Sequence, residues 1–364
     1  MARLDVRDRW SLSVDGGEPG LALILGGLGI AVMVVVGLAL RGSAGAGYDL
    51  AAYLAAAGRI AAGGTPYLPQ TLAGPFDPGP AGLYLYAPPL AVMLSPFASL
   101  SPDVASTAWL VVRVVVVGLA VALLPVRPWV RGATLFVAAF SYPVLLDLNL
   151  GNVSLLVLAL MALTWRFLDR PAGSICLALA LAVRTPLGVV LAWQALRRRA
   201  RPIAVTVVAG LVIVALTLPV VGLQGYLDYL AVTRNMVDFQ GIHANVDLAS
   251  VAARAGLPDP WPALAYVAGL LGGIAIILAA TRVDREAGFV ATVAASLLLV
   301  PLLWPHYLVV LLLPAALLAE RGRRVGILLP LLGWLPAALL PFVAVAGAIA
   351  PFLVARRLRR DLTA

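Results

Sequence analysis

Few side chains in this sequence can do chemistry, and most of those sit at the ends of apolar runs. Asp49 opens the run Tyr48-Asp49-Leu50-Ala51-Ala52-Tyr53, and Tyr53, four residues on, shares its helical face. Asp147, Asn149 and Asn152 gather at one turn, Arg184 stands at the break Arg184-Thr185-Pro186, and His306 stands in Trp304-Pro305-His306-Tyr307. His243, Asn245 and Asp247 share a later polar stretch. A carboxylate can take a proton from a reacting hydroxyl, and histidine can act as acid or base. Arginine can grip a phosphate through paired hydrogen bonds. Each residue also has a plainer reading. Asp49 fits an N-cap on an interfacial helix. Arg184 fits an ion pair with Asp147 or a side chain reaching for the interface. Arg113, inside an apolar stretch, fits a pair with a buried carboxylate. His306 fits a capped helix break, and Asp77 a turn residue.

Composition says what must hold these groups. Of the 364 residues, 62% are hydrophobic and 12% charged, against about 45–50% and about 25% in soluble domains. No single soluble core hides that much apolar surface. An ordinary cytosolic enzyme, a disordered chain and a disulfide-stapled secreted domain are excluded, which leaves an all-α polytopic membrane protein. Polar side chains at membrane depth are costly, so each is a functional candidate. Cys176 stands alone and forms no internal disulfide. The apolar stretch 21–40 is long enough to stay as a span rather than act as a cleaved signal.

The formal net charge of +9 would suggest nucleic acid in a soluble protein, but all 26 basic residues are Arg and they sort by topology. Twenty fall in the two termini and five short connections, four (Arg41, Arg59, Arg234, Arg254) on the opposite side, and Arg113 and Arg184 within apolar stretches. The asymmetry predicts both termini in the cytoplasm and no nucleic-acid partner. Spans are expected at 21–40, 104–125, 133–148, 152–167, 173–183, 186–197, 203–221, 263–280, 287–303, 307–319, 325–337 and 339–355, about twelve in all. Several fall short of the roughly 20 residues of a straight span, so broken helices and hairpins are expected at Pro-marked breaks such as 184–186. Two long outer loops, 41–103 and 222–262, emerge from a single transmembrane domain covering 1–364. The apolar piece 87–98 reads as a re-entrant or interfacial helix ended by Pro96 and Ser101-Pro102. Gly74 to Pro80 is the expected mobile segment. The candidate residues converge on the outer side of this topology.

The first outer loop resembles that of glycosyltransferase family 87, the polyprenyl-phosphate-mannose-dependent mannosyltransferases of the GT-C superfamily. Asp49-Leu50-Ala51-Ala52-Tyr53 followed by Gly64-Thr65-Pro66-Tyr67 is similar to its D-x-x-x-Y … G-x-x-x-Y pattern. Tyr86-Ala87-Pro88-Pro89-Leu90 with Pro96 is similar to its Y-x-P-P-L … P segment. Weaker likenesses continue through Gly151-Asn152-Val153-Ser154, Arg184 and Asn245. The chain departs from the pattern at Arg184, where Lys is frequent, at Asp247, where Ser is common, and in the reduced Trp-His motif at 304–306.

The resemblance implies a GT-C fold and transfer of a sugar from a polyprenyl-phosphate donor to a glycolipid or glycan acceptor outside the plasma membrane's cytoplasmic face. The sugar implied is mannose, with other hexoses or a pentose such as arabinofuranose left open. No metal and no cofactor is expected beyond that donor. In this reading Asp49 is the general base and His306 assists, while Tyr53, Arg184, Asp147, Asn152, Asn245 and Trp304 bind substrate. One acting carboxylate implies inversion; two about 5 Å apart would allow retention. A transporter or flippase is the rival, but it predicts inverted repeats and a midplane site, and no repeat is evident. A non-catalytic scaffold would need no such polar cluster. Asp49→Ala is expected to abolish sugar transfer from a polyprenyl-phosphate donor, measured against wild type; unchanged transfer would remove Asp49 as the base.

Overall fold

The computed structural model describes residues 18–73, 82–235 and 244–356, so His243, Asp77 and the 74–80 segment lie outside the described residues. Within them every element is helical and none is a strand. The first half comprises α1 (Glu18–Ala39), α2 (Tyr48–Ala61), α3 (Pro69–Ala73), α4 (Pro88–Ala98), α5 (Pro102–Ala122), α6 (Pro128–Ala139), α7 (Tyr142–Leu150) and α8 (Ser154–Arg166). The second comprises α9 (Pro171–Val183), α10 (Val189–Leu196), α11 (Ala200–Asn235), α12 (Leu248–Arg254), α13 (Trp261–Ala280), α14 (Arg285–Ala295), α15 (Leu312–Glu320) and α16 (Leu340–Ile349). Short 3-10 helices link several of them, the longest being Arg324–Trp334 and Pro305–Leu311.

Among these residues, α1, α5, α11 and α13 are long and apolar enough to cross a membrane, and α6 with α7, bent by 62°, makes a fifth crossing if counted as one. The other expected spans are apolar helices of 10–17 residues, except 287–303, which is α14 followed by the 3-10 helix Ser296–Leu298. Helix length therefore does not carry the count of twelve. Proline is the physical reason: Pro171, Pro186, Pro305 and Pro341 each start a new helix, because an imide ring suits the first turn and breaks an interior. A 13-residue helix such as α9 rises roughly 20 Å, less than the roughly 30 Å hydrocarbon core.

One further expectation is corrected. Proline does not end α4 at Pro96; the helix runs to Ala98. The long α11 breaks at Gly222, where φ is 67°, so the expected span to 221 is followed by a helical extension to Asn235 within the stretch 222–262. That extension buries Gly225, Asp228 and Val232 and exposes Leu223, Leu227 and Leu230, the two faces of an amphipathic helix.

The arginine sorting has a direct structural counterpart. Arg127 pairs with Glu320, Asp169 with Arg199 and Arg285, and Arg321 with Asp284 and Glu286. Asp284 also accepts from the Arg356 backbone N–H at 2.8 Å. The five basic connections and residue 356 thus meet at one end of the helix bundle. At the other end the tip of α1 is sewn to the turn after α7: Gly47 N–H donates to the Asn149 carbonyl at 2.8 Å, and Ser43 Oγ–H to Asn149 Oδ1 at 2.8 Å.

Small residues let the core helices approach. A Cβ on Gly132 of α6 would stand 2.5 Å from the Ala22 carbonyl oxygen of α1, so only glycine fits that crossing. Gly132→Val is expected to destabilise the bundle by about 1–3 kcal/mol. The measurement is the thermal midpoint of the purified protein in detergent; an unchanged midpoint would show that α1 and α6 can part there without loss.

Candidate active site

The site grows from a turn that only glycine can make. Gly151 caps α7 with φ 74°, and a Cβ there would meet the Leu50 Cβ at 2.7 Å. Its carbonyl accepts from Trp109 Nε1–H at 2.8 Å. This turn sets Asn152 against the first two turns of α2. Asn152 Nδ2 donates to Asp49 Oδ2 at 2.7 Å and lies 3.0 Å from the Tyr53 hydroxyl and 3.2 Å from that of Tyr86. Asn152 Oδ1 accepts from Ser154 N–H at 2.9 Å and Ser154 Oγ–H at 2.8 Å. Those two donors fix which end of the amide faces Asp49. Gly47, not Asp49, occupies the N-cap of α2, so the N-cap reading of Asp49 gives way to a carboxylate held from outside its helix.

Asp49 and Tyr53 share a face, as their spacing predicts, and both meet Asn152. Asp49 as a residue is only partly buried, but its carboxyl is enclosed. Burial pushes it up to about 6, against the opposing pull of the Asn152 hydrogen bond and then the Arg113 charge. It lies on α2, outside the spanning helices.

Asp147 is fully buried behind this cluster and pairs with Arg113 at 3.2 Å, while its other oxygen accepts from Ser154 N–H at 3.0 Å. It holds the turn from below. Arg113, read from the sequence as a partner for a buried carboxylate, is the residue that claims Asp147; Arg184 does not. Asn245 is also buried and apart from the Asp49 cluster. Its amide donates to the Pro301 carbonyl and accepts from Leu303 N–H, tying the second loop to the strand of chain that leads into Trp304 and Pro305. Trp304 is half-buried at the N-cap of the 3-10 helix 305–311.

Arg184 sits at the break between α9 and the 3-10 turn 185–188, 8% exposed. Its guanidinium lies over the Tyr307 ring at 3.5 Å, and its Nη2 has no hydrogen-bond partner. Among the described residues no carboxylate pairs with it. A desolvated cation–π stack contributes about 2 kcal/mol, whereas burying a charge costs several kcal/mol. The stack alone does not offset the burial; an anion beside the guanidinium would. His306 packs edge-on against Tyr307 with centroids 4.8 Å apart, and both its ring nitrogens are buried without partners. Asn152 joins Asp49 to the Tyr86 hydroxyl, Tyr86 neighbours Tyr307, and Arg184 lies over the Tyr307 ring, so the carboxylate and the guanidinium bound one cluster.

Sequence reasoning left Tyr86, Tyr307, Tyr229 and Thr185 off the site. Tyr86 closes on the Tyr53 hydroxyl at 3.1 Å, and Tyr229 meets the Thr185 hydroxyl at 3.1 Å beside Arg184. Tyr67 stacks on Tyr229 and donates to the Tyr86 carbonyl at 2.7 Å. The signal available was a high density of Tyr in 48–86, a polar-tipped aromatic in an otherwise aliphatic chain. From Tyr226 and Tyr229 an apolar groove of about 340 Å³ runs down between α9, α10 and α11, past Leu181, Leu191 and Leu211. No group of three metal-ligating side chains is present among the described residues.

The sequence model of glycosyltransferase family 87 matches residues 84–305. Neither the curated proteins nor the solved structures compared include a match.

A base with a pKa of about 6 is half-charged at that pH, so a reaction that uses Asp49 this way accelerates as pH rises through about 6. Asn152→Ala removes a donor to the charged form and is expected to move this acid limb to higher pH, read in the pH profile of kcat/KM. A limb that stays in place would reduce Asn152 to packing.

Proposed function

We propose, on the premise that this chain belongs to glycosyltransferase family 87, that it moves a sugar from a polyprenyl-phosphate donor to an acceptor hydroxyl. Mannose is the sugar its family likeness favours, and a glycolipid or glycan on the extracytoplasmic side is the acceptor. The observation that carries the reading is one cluster bounded by an enclosed carboxylate, Asp49, and a buried guanidinium without a carboxylate, Arg184, with an apolar groove whose lining includes Tyr229, the partner of Thr185 next to Arg184.

The chemistry follows from that layout. The isoprenoid chain lies in the groove between α9, α10 and α11, which places its phosphate at Arg184. The stack on Tyr307 leaves the edges of the guanidinium, and so its N–H donors, available to phosphate oxygens. Asn152 bonds one oxygen of Asp49, and the other accepts the acceptor hydroxyl's proton. The acceptor oxygen then bonds to the anomeric carbon as the bond from that carbon to the phosphate oxygen breaks. The electron pair leaves on the phosphate, where Arg184 stabilises the growing charge. His306, beside Tyr307, donates to or accepts from the phosphate or the acceptor. The tyrosine hydroxyls of Tyr53 and Tyr86 and their ring faces line the space for the sugar.

Inversion is the expected outcome, because the second carboxylate of the region is committed elsewhere. Asp147 is buried, paired with Arg113 and bonded to Ser154 N–H, so it is not free to act as a nucleophile. Both termini in the cytoplasm, with the site at the opposite end from the arginine lattice, complete the proposal.

The test is transfer from a labelled polyprenyl-phosphate mannose with the anomeric configuration read by NMR. Arg184→Gln is expected to raise KM for the donor and lower kcat, together at least 100-fold in kcat/KM, the range lost when one donor to a developing oxyanion is removed. Arg184→Lys is expected to recover part of it. A retained configuration, or an Arg184→Gln enzyme of full activity, would overturn the assignment.

A further inference from the structure

We infer that the arginine-rich end of the bundle carries a binding site for one anionic phospholipid, on the opposite end of the molecule from the Asp49–Arg184 cluster. An apolar groove of about 490 Å³ lies between α15, the 3-10 helix Arg324–Trp334 and the segment from α16 to Leu353. Leu318, Val325, Leu328, Leu332, Ile349 and Leu353 are among its walls. Val325 is 77% and Leu353 68% exposed, so the groove opens outward on a face that only lipid can cover in a membrane-spanning chain.

Charge selects the lipid. Both walls of the groove end in arginine: Arg323 and Arg324 immediately precede Val325, and Arg356 stands three residues after Leu353. All three are exposed, and among the described residues none is paired with a carboxylate. Arg321, in the same turn, is different, since Asp284 and Glu286 neutralise it. The second wall is pinned in place: Asp284 accepts from the Arg356 N–H and Arg321 donates to the Val354 carbonyl, which keeps Arg356 at the groove's end. On the first wall, Arg324 lies 5.7 Å from the Trp129 ring centroid, with Arg127 5.6 Å from the same ring. An indole flanked by guanidinium groups marks the depth of lipid headgroups. An acyl chain fits the groove and a phosphate fits the arginines; a zwitterionic headgroup would set its ammonium against three like charges. The combination of a basic mouth and an apolar slot between helices is therefore matched by a phosphatidylglycerol-type lipid.

The proposal does not rest on the sugar-transfer reading, and its test does not use activity. The purified full-length protein is titrated with dioleoyl phosphatidylglycerol or dioleoyl phosphatidylcholine, and bound lipid is counted by native mass spectrometry. Phosphatidylglycerol is expected to be retained in preference. The double variant Arg323→Gln/Arg324→Gln is expected to bind it roughly 30-fold more weakly, two arginines' worth of surface attraction. Ala346→Phe, which places a ring in the groove from an exposed position and leaves every arginine intact, is expected to lose it as well. A short-chain dihexanoyl lipid or inorganic phosphate should not compete. Equal retention of phosphatidylcholine, or undiminished phosphatidylglycerol binding by either variant, would overturn the site.

Discussion

The Asn152 amide is the joint on which this molecule's polar interior turns. Its oxygen is claimed by two donors of Ser154, so its nitrogen must face Asp49, Tyr53 and Tyr86. Without Gly151 the amide would not reach α2, because any side chain there would strike Leu50. Beneath it, the Arg113–Asp147 pair holds the same turn by backbone and side chain, Arg113 donating to the Asp147 carbonyl at 2.6 Å as well as to its carboxylate. Removing one partner of such a buried pair costs about 3–5 kcal/mol, which makes the foundation rigid. The Asp49 carboxylate is thus oriented by an amide that is itself held from behind.

The division of labour among the charged residues follows from what each is bonded to. Asp147 and Arg113 neutralise each other and remain structural. Among the described residues Asp49 and Arg184 have no direct ion pair, and both border the tyrosine cluster. In the proposed transfer this asymmetry would serve both ends of the reaction: a carboxylate bonded on one side only, and a cation completed by an arriving anion.

Much of this was legible in the sequence. The four-residue spacing of Asp49 and Tyr53 put them on one face, and the structure joins them through Asn152. The sorting of arginines into connections was legible too, and those connections meet through Glu320, Asp169 and Asp284. Pairing was not. Arg113 and Arg184 are the same residue type in similar apolar runs, and only the fold shows that the first reaches Asp147 and the second does not. Helix length was also hidden, because hydropathy continues through prolines that the backbone does not. Asn245 carries a polar signal like that of Asn152, yet its bonds go to its neighbour Asp247 and to the backbone of the 301–303 segment. A side chain's type announces that it needs partners, but whether those are substrate or main chain depends on a neighbouring segment far away in sequence.

The ion pair between Arg127 and Glu320 joins residues separated by 193 positions. By the time a ribosome reaches α15, the connection between α5 and α6 has long since been made, with Arg127 still lacking Glu320. The lattice at that end can close only when nearly the whole chain has been delivered. The arginine end of the bundle is therefore the last to complete its ion pairs as the chain is made. A chain that stops before residue 320 lacks Glu320 and leaves that seam open.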